Sequence, residues 1–176
     1  MTDRRRRIDL VLESEYLEGL DALELEELRM RRDTAEDVEA QISYYRRLLH
    51  GRMDLLSFES KRRNGEETRT LIDALPEILA KGLVLGHEPT PRHIEVMPPI
   101  PSATGRRLID MIMDDGVLTR LSEMADAEIS EAIDRLEEFE GQLSDQRRQL
   151  HKVIDTLQEE IVNRYRGQQD ESTVSG

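Results

Sequence analysis

The sequence predicts an all-α fold in which two long helices form an antiparallel coiled-coil hairpin, accompanied by short accessory helices and a Pro-rich connector. Three observations carry that reading. Aromatic residues are only 3% of the 176, with no Trp, whereas a compact sheet-built core would want more aromatic and β-branched side chains. Charged residues reach 36%, and a composition rich in Leu, Glu, Arg and Ala suits long helices with narrow apolar seams. Finally, Val38, Ile42, Tyr45, Leu49 and Leu56 follow one another at 4-3-4-7 spacing, the signature of a coiled-coil seam.

In chain order, residues 1–14 read as a mobile N-terminus and 15–63 as a first helical region, nearly continuous from about Leu17 to Arg63. A break is expected near Asp33-Thr34, because Thr34 and Asp37 have the spacing of a capping box with Asp in place of Glu. Asn64-Gly65 should end this helix. Residues 64–103 read as a connector holding one short amphipathic helix around Leu71 to Val84, with Pro76 near its start or at a kink. Five prolines (Pro89, Pro91, Pro98, Pro99 and Pro101) exclude a helix between Gly86 and Pro101. A second helical region, 104–167, is expected to break at Asp115-Gly116 and to carry the seam Phe139, Leu143, Leu150, Val153 and Leu157. Residues 168–176 read as a disordered polar tail. Helices joined by so long a connector could pack either way round; an antiparallel hairpin is the preferred arrangement.

Composition also limits function. With no Cys there are no disulfides, thiolate metal sites or Cys nucleophiles, which fits an intracellular protein. No apolar run approaches the ~20 residues needed to cross a bilayer. The basic start Arg4–Arg7 leads into a stretch interrupted by Asp9 and too short for a secretory signal, so a cytoplasmic location is expected. A net charge of −13 argues against direct DNA binding, since phosphates demand a basic face. It permits a basic protein partner, and equally serves plain solubility.

The most informative feature is an internal repeat. Sliding the chain by 101 residues aligns residues 39–59 with 140–160, and 10 of the 21 aligned positions are identical. Matched seam leucines mean little; matched polar positions mean more. The pattern Glu-x3-Ser-x2-Arg-x3-His-x3-Asp occurs at Glu39, Ser43, Arg46, His50 and Asp54, and again at Glu140, Ser144, Arg147, His151 and Asp155. Two of the four histidines thus share one register. On a helical wheel at ~100° per residue the five side chains fall within about 80° of arc, and they extend over roughly 20 Å. With Glu39 taken as zero, the seam residues Val38, Ile42, Tyr45 and Leu49 cluster at roughly 240° to 300°, beside the stripe and not opposite it. Each stripe therefore flanks the groove between paired helices, and two copies suggest a ligand that is twofold-symmetric or bound twice.

Arg offers a planar fork for phosphate, for the Hoogsteen edge of guanine, or for stacking on a base. Asp accepts the paired N–H donors of guanine's Watson–Crick edge, while Ser and His add hydrogen bonds. A guanine nucleotide is thus chemically sensible, although these residues alone do not identify it. Ordinary flanking charges that pair across a coiled coil would also place Glu and Arg here, in a scaffold with no ligand. A third possibility is a metal site, because His50/Asp54 and His151/Asp155 stand at i, i+4 and could form a His2Asp2 set. Catalysis is not expected, because no Gly-rich phosphate loop, nucleophile elbow or zinc-hydrolase motif occurs. His87 and His93, in the Pro-rich connector, read as surface residues.

The spacing of the stripes resembles that of the actinobacterial anti-sigma factors called RsiG, whose two helices each bear Glu-x3-Ser-x2-Arg-x3-Gln-x3-Asp. The resemblance covers both helices and all five positions twice. It implies that the ten stripe residues bind cyclic di-GMP, with no metal and no enzymatic activity. It further implies that the paired helices hold a WhiG-type sigma factor inactive and so block sporulation genes. The segments around Leu17 to Leu28, Leu71 to Val84 and Leu108 to Met124 are candidates for further partner contacts, or simply for core. His50 and His151 stand where that family has Gln, which makes the contact sensitive to pH.

Overall fold

A computed structural model describes residues 7–84 and 120–174. The described residues are all-α: α1 (Arg7–Leu12), two 3-10 turns (Ser14–Leu17 and Leu20–Ala22), α2 (Leu25–Arg63), α3 (Leu71–Val84) and α4 (Asp126–Val174). The Pro-rich stretch and the expected break at Asp115-Gly116 lie outside the described residues. The chain divides into two compact units, one made of Met1–Ile42 with Asp145–Gly176, the other of Ser43–Ser144.

In the first unit the N-terminal part of α2 lies antiparallel to the C-terminal part of α4. Arg29 reaches the hydroxyl of Tyr165, and Arg32 Nη1 donates to Gln158 Oε1 at 3.1 Å, so position rises on one helix as it falls on the other. Val38, Ile42, Leu150, Val153 and Leu157 are buried, as the seam predicts, together with Leu28, Ala35 and Ile161. In the second unit α2 continues through Tyr45, Leu49 and Leu56, all buried, and α4 contributes Leu143, Ala132 and Ile129. Phe139, placed in the seam by the sequence, is half-buried. A satellite core of Phe58, Ala74 and Ile78 attaches α3 to α2. The expected antiparallel helical hairpin is observed.

Several boundaries depart from expectation. Helix α2 begins at Leu25, not near Leu17, because Gly19 takes a left-handed conformation (φ 63°) that interrupts the helical path. No break occurs at Asp33-Thr34: Thr34 Oγ1 donates back to the carbonyl of Met30 at 2.8 Å, and burial of Ala35 and Val38 holds the helix through. Residues expected to form the ends also carry helix, α1 with its buried Val11 at one end and the last turns of α4 to Val174 at the other.

The stop at Asn64-Gly65 occurs as read. Gly65 (φ 77°) donates to the carbonyl of Arg62 and Glu66 to that of Lys61, the paired bonds of a Schellman motif. Helix α3 opens with Thr70 and Asp73 bonded reciprocally, and Pro76 sits within it. The lost N–H of Pro76 is tolerated where Ala74 and Ile78 are buried.

Both units carry the same clamp. In the second, Glu59 accepts from Arg63 Nε at 2.8 Å, and Arg63 donates onward to the carbonyls of Leu121 and Met124, in the turn that leads into α4. In the first, Glu160 accepts from Arg164 Nε at 2.8 Å, and Arg164 donates to the carbonyls of Leu20 and Leu23, in the turn that leads into α2. Every one of these pairs of positions differs by the repeat interval of 101. The duplication therefore extends to Arg63 and Arg164, four residues past the glutamates that end the 21-residue match.

One buried group stands out in the seam. The hydroxyl of Tyr45 is fully buried without a hydrogen-bond partner among the described residues, and burial pushes its pKa up. An unsatisfied buried hydroxyl costs more than a buried ring carbon. Tyr45→Phe should therefore raise stability by about 0.5–1 kcal/mol. Chemical denaturation checks this, and a loss of stability would refute it.

Candidate functional site

The stripe residues do not meet along their own helices. They meet across them. In the second unit, Arg46 on α2 sends Nε (2.9 Å) and Nη2 (2.7 Å) to Oε1 of Glu140 on α4. Ser144 Oγ donates to the same oxygen at 2.8 Å, and His50 Nε2 lies 3.3 Å from it. In the first unit the roles are exchanged: Arg147 Nε on α4 donates to Glu39 Oε1 on α2 at 2.7 Å, with His151 Nε2 at 3.1 Å from that oxygen. The Glu of each repeat thus collects the Arg and the His of the other.

Helix geometry explains the grouping. Arg and His stand four residues apart on one helix, so they rise on the same face one turn apart. An antiparallel partner passes its Glu between them. The two glutamate side chains are largely enclosed (19% exposed for Glu39, 20% for Glu140), while His151 remains half-exposed at 47%. Burial alone would raise the pKa of Glu140; the hydrogen bonds from Arg46 and Ser144 and the charges of Arg46 and His50 outweigh it and lower the pKa. This carboxylate is therefore ionised at neutral pH.

Seven of the ten stripe residues, Glu39, Arg147 and His151 with Glu140, Ser144, Arg46 and His50, are drawn into these two clusters. Ser43 is half-buried on α2, one turn after Glu39. Asp54 is half-buried and Asp155 exposed, one turn beyond their histidines. Among the described residues no three His, Asp or Glu side chains gather as a metal-binding group, and His50/Asp54 and His151/Asp155 belong to different units.

The wheel placed the stripe beside the seam but could not name partners, because it describes one helix at a time. It also missed Arg52, which is buried (7% exposed) at the position where the 4-3-4-7 spacing skips a step, three residues after Leu49. An unbroken alternation of four and three would have marked that position, and Glu59 after it, as seam positions filled by charge.

Chemically, each cluster is a pre-aligned guanidinium and imidazole beside a carboxylate, at the edge of a helix pair. Such a set can take an anion at the Arg and His and a paired N–H donor at the Glu. Among the described residues no helix is long and apolar enough to cross a membrane. No curated protein matches the sequence. A family model described as RsiG-like matches residues 14–79 and 115–175, well over half of the chain, including both stripes and both clusters; the chain belongs to the RsiG-like family.

Proposed function

We propose that this protein is an anti-sigma factor that binds cyclic di-GMP through its two helical stripes and, so loaded, sequesters a WhiG-type sigma factor, blocking transcription of sporulation genes. Membership of the RsiG-like family supports the anti-sigma role itself. The observation that carries the ligand reading is the cluster formed twice, in which Glu39 gathers Arg147 and His151 and Glu140 gathers Arg46 and His50. Plain ion pairing needs opposite charges only, whereas here an imidazole joins the pair both times.

In this reading Arg46 and Arg147 meet a phosphate or a guanine Hoogsteen edge, and Asp54 and Asp155 accept the N–H donors of guanine. Glu39 and Glu140 orient the guanidinium groups, while Ser43, Ser144, His50 and His151 add hydrogen bonds. The protein then works by stoichiometric binding in the cytoplasm, not by catalysis, and needs neither metal nor DNA contact of its own. A ligand-free scaffold is the second reading, favoured by the fact that each Glu–Arg pair already satisfies both of its charges across the helices.

Calorimetry separates the two. Cyclic di-GMP titrated into the protein should release heat with saturation at tens of micromolar or below; no heat would leave the scaffold. Co-purification with the cognate sigma factor, with and without cyclic di-GMP, tests the switch. The complex is expected only with the nucleotide, and equal recovery in both conditions would defeat the switch.

A further inference from the structure

In each cluster one carboxylate oxygen is the meeting point. Around Glu140 Oε1 stand Arg46 Nε at 2.9 Å, Arg46 Nη2 at 2.7 Å, Ser144 Oγ at 2.8 Å and His50 Nε2 at 3.3 Å. Around Glu39 Oε1 stand Arg147 Nε at 2.7 Å and His151 Nε2 at 3.1 Å. A carboxylate oxygen offers two lone pairs, so four polar neighbours on Glu140 Oε1 exceed what it accepts in good geometry. The side chains thus build a cup of donors that calls for more acceptor than one carboxylate oxygen supplies. A phosphodiester brings two anionic oxygens to such a cup.

The cup also favours negative charge. Burial alone would push the Glu140 carboxyl up, yet the hydrogen bonds from Arg46 and Ser144, with the charges of Arg46 and His50, bring it below its ordinary value. These donors stabilise an anion although only 20% of the glutamate side chain is exposed. A carboxylate and a phosphodiester cannot hold the same donors together, because two like charges so close repel strongly in a partly enclosed site. Glutamate is able to yield. Its carboxylate ends a side chain with three rotatable bonds, and each cluster lies at the edge of its helix pair.

We propose that Glu39 and Glu140 are built-in competitors of the ligand: each carboxylate fills the anion subsite of its cluster, and a phosphodiester of cyclic di-GMP binds there by displacing it. This rests on the ligand reading above, and it assigns phosphate, not the guanine edge, to Arg46 and Arg147. The two glutamates then set how much nucleotide is needed, since part of the ligand's binding energy goes into breaking the internal pairs. Removing their charge while keeping their shape strengthens binding.

Calorimetry of the full chain with cyclic di-GMP tests this. Glu39→Gln/Glu140→Gln keeps size and an acceptor oxygen and should bind about tenfold tighter than wild type at low salt. Salt gives an independent readout. In wild type one anion replaces another on the same Arg, so affinity should change little between about 0.05 and 0.5 M salt. In the paired variant the ligand meets cations screened by salt alone, and most of the gain should vanish over that range. Circular dichroism checks that helix content is kept; if the paired variant fails to fold, Glu39→Gln and Glu140→Gln singly carry the test, each with a smaller gain. If wild type binds and the Gln variants bind no tighter, the competitor assignment falls while the ligand reading stands, and the glutamates only orient the arginines. A gain that salt leaves intact, or a steep loss of wild-type affinity with salt, would likewise overturn the exchange. No heat from wild type or any variant overturns both readings.

Discussion

Replacing both Arg46 and Arg147 by Ala is expected to abolish cyclic di-GMP binding, with at least a hundredfold loss of affinity in calorimetry. Each guanidinium is the permanently charged, planar donor of its cluster. A charge-assisted hydrogen bond contributes about 1.5–3 kcal/mol, and two such losses amount to two or more decades in affinity. The same substitutions leave Glu39 and Glu140 partly enclosed without their cations, so a fall in melting temperature accompanies the effect. Arg46→Lys/Arg147→Lys separates the contributions: Lys keeps the charge and most of the stability but loses the planar fork. Retained nucleotide affinity in the Ala pair would move the ligand away from these clusters altogether.

The second large effect is on stability, at Glu59. This residue is 4% exposed in the seam and holds both Arg62 and Arg63, and Arg63 in turn bonds the carbonyls of Leu121 and Met124 and the side chain of Asp126. Removing the carboxylate releases a chain of bonds. Glu59→Ala should cost roughly 2–3 kcal/mol, read as a drop of about 4–10 °C in Tm by circular dichroism. The equivalent change at Glu160 should cost less, because that side chain is about one-quarter exposed. The direction with pH follows from the carboxyl of Glu59, which the hydrogen bond from Arg62 holds at about 2 despite its burial, with Arg63 adding to the effect. A lowered folded-state pKa stabilises above the ordinary carboxylate value near 4.5, and that stabilisation drains away as pH falls toward 2. The gap between wild type and Glu59→Gln should therefore be full at pH 6 and narrow sharply by pH 2 to 3. A gap that stays constant over that range would show that Glu59 acts by packing and not by charge.

Much of this architecture could be read from the residues. The alternation through Val38, Ile42, Tyr45 and Leu49 located the buried face of α2, and Asn64-Gly65 located its end, because both are decided by local periodicity and local backbone conformation. Other features depend on tertiary contacts and escaped. Thr34 has the chemistry of a cap, yet its hydroxyl bonds back within the helix, since burial of Ala35 and Val38 outweighs a local preference. Gly19 interrupts the helical path ahead of α2 and looked like an ordinary helical position without its backbone angle. At the candidate site the sequence identified the residue types and their register, but the partner of each came only with the second helix. Arg52 hid in a seven-residue step, and Arg63 and Arg164 hid past the end of a match that stopped four residues short.

The exchange of partners between repeats also governs how far the motif can be transplanted. A peptide copied from α2 would contain all five residues of a stripe, from Glu39 to Asp54, and a search for that pattern would accept it. It would nevertheless carry an Arg and a His with no Glu to align them, and a Glu with nothing to align. The working unit is half of one helix facing half of another. Grafting the stripe into a new scaffold, or looking for it in distant genomes, should therefore require both copies in opposed directions; one faultless copy alone is a sequence without a site.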